Sequence, residues 1–189
     1  MSRNTPSAHL YFIAFVLPEE GYQRVTAIKE YFRDEFSSKA ALRSPPHITL
    51  HMPFRWPDKK LEKLHQFLSS FARKYDPFEL RLQNFQAFAP KVIYIAVLPN
   101  PKLTQLQQQL RSEAMSELHL HNADYKARSF IPHVTVAFRD LKRASFHQAW
   151  KSFSEKEFHY QFEAQQIALL QHDGSRWQIN SEFHFCPPR

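Results

Sequence analysis

One five-residue pattern occurs twice in this chain and constrains its architecture more than any other feature. Pro46-His47-Ile48-Thr49-Leu50 and Pro132-His133-Val134-Thr135-Val136 both read Pro-His-h-Thr-h, where h is aliphatic. The two copies stand 86 residues apart in a chain of 189, close to half its length. Aliphatic and β-branched residues in alternation with polar ones predict a strand at each copy. Strand side chains alternate faces, so the imidazole and the hydroxyl two residues on share one face, and the aliphatic residues pack on the other. Each proline lacks an N–H and pushes the residue before it toward extended geometry, which suits the start of a strand.

The flanking segments repeat the same order. His9 to Leu17 is an apolar run that reads as a buried strand. Pro18-Glu19-Glu20 opens a helix whose Val25, Ile28, Phe32 and Phe36 recur at helical spacing. After the first His-strand, His47 to Met52, a turn region is expected over Pro53 to Pro57, then a helix marked by Leu61, Leu64, Leu68 and Phe71. Phe78 to Phe88 and Val92 to Leu98 read as a strand pair. In the second half, Asn100 is the expected N-cap with Pro101 at the first helical position, and Leu103, Leu106, Leu110 and Leu118 form one stripe. A polar loop from His119 to Ser129 leads to the second His-strand. A helix over Ala144 to Phe153 and strands near Phe158 to Leu170 and Trp177 to Phe185 follow. The expected fold is α+β and bilobal. Two pseudo-symmetric lobes each carry an antiparallel sheet flanked by helices, with a cleft between them. Residues 1–189 are expected to form a single domain with an internal pseudo-repeat, its halves roughly 1–98 and 99–189.

Composition narrows the chemistry. Only two glycines occur, so neither a P-loop nor a GxGxxG dinucleotide turn is present. Phosphate would have to be held by side chains or by non-glycine backbone. The single cysteine, Cys186, allows no internal disulfide and reads as a small semi-buried residue. No apolar run is long enough to span a bilayer, and the polar stretch Met1 to Ser7 lacks a signal-peptide core, so a cytoplasmic location without membrane contact is expected. The net charge of +7 favours polyanionic partners such as RNA or nucleotides. No obligate protein partner is evident, and a monomer is expected.

Displacement at a phosphodiester needs one proton taken from the attacking oxygen and one given to the leaving oxygen. Imidazole does both near neutrality. His47 and His133 are therefore the candidate acid/base pair, and Thr49 and Thr135 candidate donors to the non-bridging phosphate oxygens. Arg43 and Arg128, just ahead of the motifs, could add positive charge. Phe54, Tyr94 and Trp177 are candidates for stacking on a base. His51, placed by alternation on the His47 face, raises a His47/His51/His133 zinc site, disfavoured because no carboxylate or cysteine lies nearby in sequence. His65, His119, His121 and His172 read as surface residues.

With its two H-x-T-h motifs, the chain resembles the 2H phosphoesterase superfamily, the LigT-like or 2′-5′ RNA ligase-like proteins. The resemblance extends over nearly the whole chain, including HLYFIAFVLPEE at the first strand and VIYIAVLPNPKLTQLQQQL at the central strand and helix. It implies a hydrolase that opens 2′,3′-cyclic phosphates of RNA ends or nucleotides to 2′-phosphates, in some members a 2′-5′ RNA ligase, with no metal and no cofactor. It implies His47 and His133 as the catalytic pair and Thr49 and Thr135 as phosphate ligands. Relatives often place a basic residue soon after the second motif; here Phe138 stands before Arg139, the nearest candidate. A non-catalytic RNA- or nucleotide-binding module in the same basic cleft is the alternative, although anion binding alone would be served as well by Lys or Arg.

Overall fold

A computed structural model describes residues 7–121 and 129–186. Arg128 and most of the expected loop from His119 to Ser129 lie outside the described residues. The chain runs β1 (Ala8–Val16), α1 (Glu19–Phe36), β2 (His47–Pro57), α2 (Leu61–Ala72), β3 (Phe78–Phe88), β4 (Val92–Val97), α3 (Pro101–Leu118), β5 (His133–Ala137), α4 (Arg143–Phe153), β6 (His159–Ala164), β7 (Gln166–His172) and β8 (Trp177–His184). Short 3₁₀ helices at Ala40–Arg43 and Asp58–Lys60 bracket β2.

Two four-stranded antiparallel sheets result, in the orders β2-β1-β7-β8 and β5-β4-β3-β6. The first sheet thus combines strands from the beginning and the end of the chain, and the second is drawn from its middle. Each motif strand, β2 or β5, is the outermost strand of its sheet.

Local sequence accounts for the helix starts. Asn100 accepts the Leu103 N–H at 3.0 Å and Pro101 follows it, so α3 begins where the N-cap signal stands. Pro18 occupies the N-cap of α1, with Glu19 and Glu20 in the first turn facing the positive end of the helix dipole. Val25 and Phe32 on α1, Leu64, Leu68 and Phe71 on α2, Leu103, Leu106 and Leu110 on α3, and Phe146 and Phe153 on α4 are buried. With the inward residues of both sheets they form one continuous core.

Three local expectations are corrected. Pro53 to Pro57 is not a turn: β2 continues to Pro57, paired with Ala8. An edge strand tolerates prolines because an N–H that faces outward has no ladder partner to lose. The region Phe158 to Leu170 divides at Gln165 into β6 and β7, which serve different sheets. His51 does not share the His47 face. A register shift pairs Ile13 with His51 but Ala14 with Thr49, so β2 carries an extra residue there. Such a bulge breaks the alternation, and consecutive Leu50 and His51 are both buried, the His51 ring lying against Phe54. Among the described residues no three His, Cys, Asp or Glu side chains gather as a metal site requires. No described helix is long and apolar enough to cross a membrane.

Candidate active site

The two motif strands face each other. β2 and β5 pack together across the lobes, and the helices cross over: α1 lies against β5, and α3 lies against β2. Within each motif the expected alternation holds. Ile48, Leu50, Val134 and Val136 are buried, whereas His47, Thr49, His133 and Thr135 are half-buried. The neighbouring inner strands put short side chains beside this face, Ala14 opposite Thr49 and Ala96 opposite His133.

Both imidazoles are held in the same way. His47 Nδ1 lies 2.7 Å from the Pro45 carbonyl oxygen, and His133 Nδ1 lies 2.7 Å from that of Ile131. A carbonyl can only accept, so Nδ1 carries the hydrogen on both rings. The neutral rings therefore present the Nε2 lone pair, and among the described residues no protein group hydrogen-bonds to either Nε2. A nitrogen that can accept a proton, on a ring whose other nitrogen is tethered, is what general acid/base chemistry needs.

Aromatic side chains back both rings. Phe12 lies 4.7 Å from the His47 ring, with Trp177 edge-on to Phe12 at 4.6 Å. Tyr94 and Phe88 lie 4.9 and 5.2 Å from the His133 ring. This apolar packing disfavours the imidazolium form. Burial pushes His47 down to about 4; the nearby charges of Lys29 and His133 push the same way, and the Pro45 hydrogen bond opposes them. His47 as a whole is half-buried. His133 is also lowered by burial, against the pull of its Ile131 hydrogen bond.

The His47 shift has a measurable consequence for folding. The unfolded chain binds a proton near pH 6.5, the folded one only near 4, so stability is lost as the pH falls through that interval. The expected loss is of the order of 2–3 kcal/mol. Urea titrations at pH 7 and pH 4.5 should show it, and His47→Gln should flatten the difference. An equal loss in that variant would assign the effect to other groups.

The remaining sequence candidates are placed as follows. Arg43 is exposed at the end of the Ala40–Arg43 3₁₀ helix. Arg139 is exposed just after β5 in a left-handed conformation, φ 63°, its guanidinium 5.5 Å from the Phe138 ring centre. Phe54 is not a stacking surface: it is buried among Tyr11, His51 and Trp56. Tyr94 is also buried and supports His133 rather than lying open to a base, and its hydroxyl donates to Gln86 at 3.2 Å. Trp177 is half-buried against Phe12 and His172.

Two polar residues escaped the sequence reading. Asp140 accepts from Ser38 Oγ and from the backbone N–H groups of Lys39 and Ala40, at 2.9 to 3.0 Å, and so ties the loop after β5 to the segment leading to His47. Lys29 is buried in α1 and donates to the Ser44 carbonyl at 3.0 Å. Its signal was present: it stands four residues after Val25 and three before Phe32, on the apolar stripe. Asp140 left no signal, because its partners are 100 residues distant.

Known proteins resemble this chain in sequence and in fold. Residues 17–176 match the model of the 2′-5′ RNA ligase superfamily. A Bacillus cytotoxicus protein, provisionally named as a phosphoesterase, is 32% identical over 143 residues, covering 74% of this chain and 78% of its own. A similarly named Geobacillus protein is 29% identical over 164 residues, covering 85% and 90%. Among solved structures, Escherichia coli LigT without ligand superposes with a TM-score of 0.66 at 19% identity, over 95% of this chain and 98% of its own. A Thermus thermophilus protein also gives a TM-score of 0.66 at 19% identity, over 95% and 100%. With two antiparallel sheets, facing His-strands and a family match across most of its length, this chain belongs to the 2′-5′ RNA ligase superfamily of LigT-like 2H phosphoesterases.

Proposed function

We propose that the protein is a metal-independent phosphodiesterase that opens the 2′,3′-cyclic phosphate of RNA ends or nucleotides. One observation carries this reading: two imidazoles on facing edge strands, each tethered through Nδ1–H to the carbonyl two residues back, with Nε2 left for proton exchange. In the reaction water attacks phosphorus and gives a proton to one Nε2. The P–O3′ bond breaks, and the other imidazole gives its proton to O3′, leaving a 2′-phosphate. The pair then exchanges protons with solvent to reset. Thr49 and Thr135 donate to the non-bridging oxygens as charge builds on them. With an RNA 5′-hydroxyl in place of water as the nucleophile, the same displacement breaks P–O3′ and forms P–O5′, which is 2′-5′ ligation. Phe88, 37% exposed beside His133, offers apolar surface to a nucleobase. LigT itself has been crystallised with 3′-AMP and with phosphate, ligands of the chemical class this reading requires.

The test is turnover of a 2′,3′-cyclic nucleotide in EDTA, with ³¹P NMR to identify the product. Tight nucleotide binding without turnover would instead make the cleft a binding module. Because both rings are shifted below 6.5, the free enzyme holds one neutral and one protonated imidazole only on the acid side of neutrality. A bell-shaped kcat/KM profile peaking below pH 6.5 is expected. A maximum above pH 7, or a flat profile, would contradict the assigned proton transfers.

A further inference from the structure

The acid/base pair is symmetric in its tethering but not in its surroundings. The buried polar side chains among the described residues are Lys29, Ser38, His51 and Gln107. Lys29 and Gln107 sit on the two crossing helices, α1 and α3. Gln107 donates to the Leu50 carbonyl of β2 at 3.4 Å and is neutral. Lys29 is an amine, 2% exposed, and donates to the Ser44 carbonyl at 3.0 Å. The next carbonyl along the chain, that of Pro45, receives the His47 Nδ1–H. Asp140 fixes the other end of this segment at Ser38, Lys39 and Ala40. A buried lysine is costly to keep, because an apolar residue of the same length would avoid the desolvation.

We propose that Lys29 is a positioning residue that holds the Ser44–Pro45 segment under His47 and makes the two imidazoles unequal, so that His47 is the base and His133 the acid in opening a cyclic phosphate. The assignment of roles rests on the phosphodiesterase reading; the hold of Lys29 on His47 does not. The charge of Lys29 reaches His47 and disfavours its protonation, as does that of His133. The other elements beside His47 add little to this. β1 presents Phe12, Ala14 and Val16, and Arg43 is exposed. Asp140 is bonded to the start of the segment. Burial lowers Lys29 itself to about 7, so it is protonated over the whole range in which His47 titrates.

Two variants separate charge from hydrogen bonding. Lys29→Met removes both; Lys29→Gln keeps a donor without the charge. The imidazole resonances of His47, followed by ¹H–¹³C NMR against pH in the whole protein, report the electrostatic effect without any substrate. In both variants the His47 titration should move upward by about one unit, and where turnover is measured the acid limb of kcat/KM should move with it. Lys29→Met should also lower kcat about tenfold or more through lost orientation, with little change in KM, and Lys29→Gln should recover part of that loss. A merely structural lysine would reduce stability and leave the His47 titration in place. An unmoved titration in the folded Lys29→Gln protein, whatever Lys29→Met does, overturns the proposal. If the titration moves but wild-type protein does not open a cyclic phosphate, the phosphodiesterase reading fails and the influence of Lys29 on His47 stands.

Discussion

His47→Ala and His133→Ala should each lower kcat/KM on a 2′,3′-cyclic nucleotide by roughly 10²–10⁴-fold, the usual contribution of a positioned acid or base. The loss should fall mainly on kcat, because the other residues of both motif strands remain in place. The double variant should be little worse than the poorer single one, since one imidazole without its partner completes only half of the proton traffic. Folding should survive both changes. Each ring is half-buried and makes its polar contact with a nearby carbonyl of its own loop, while Ile48 and Val134 keep the strands in the core. Circular dichroism with steady-state kinetics on each purified variant measures both points. A folded variant that retained more than about a tenth of wild-type kcat/KM would remove that histidine from the mechanism.

The largest effect on stability is expected from Phe32→Ala, at roughly 3–5 kcal/mol. Phe32 has no exposed surface and lies 4.7 Å from Phe153 and 5.5 Å from Phe36, ring centre to ring centre. Phe153 in turn meets Phe85 of β3 edge-on at 4.8 Å. This aromatic chain joins α1 to α4 and the second sheet, so the cavity would open where the lobes are fastened and few neighbours can move to close it. Against a total stability of about 5–15 kcal/mol, that loss would leave a marginal protein. Chemical denaturation monitored by far-UV dichroism and by tryptophan fluorescence should show one coincident transition at lower denaturant. Two separated transitions would mean that the lobes do not share one cooperative core.

Much of this was legible from residues alone, for reasons of range. The His and Thr faces of β2 and β5 follow from a period of two, and the start of α3 follows from Asn100 and Pro101. These are short-range signals, and strand or helix geometry converts them directly into position. What failed depended on partners distant in sequence. The bulge that turns His51 inward is a mismatch between β1 and β2, invisible in β2 by itself. Pro57 reads as a turn residue until β2 is known to be an edge strand. Phe54 and Tyr94 have the chemistry for base stacking, and only tertiary packing shows that their faces are covered. Lys29 was the opposite case: its place on the apolar stripe was readable, but not the carbonyl that makes use of it.

The interleaving of the two sheets bears on how the protein can be synthesised. All four strands of the sheet that carries His133 have been made once β6 is complete, and they are contiguous apart from their helices. The sheet that carries His47 has β7 next to β1, so its first strand must wait for a partner some 150 residues downstream. Such pairings raise the contact order and delay closure. During translation the His133 side can therefore mature while β1 and β2 still lack half of their sheet, and the sheet that carries His47 is complete only when β7 and β8 have emerged from the ribosome.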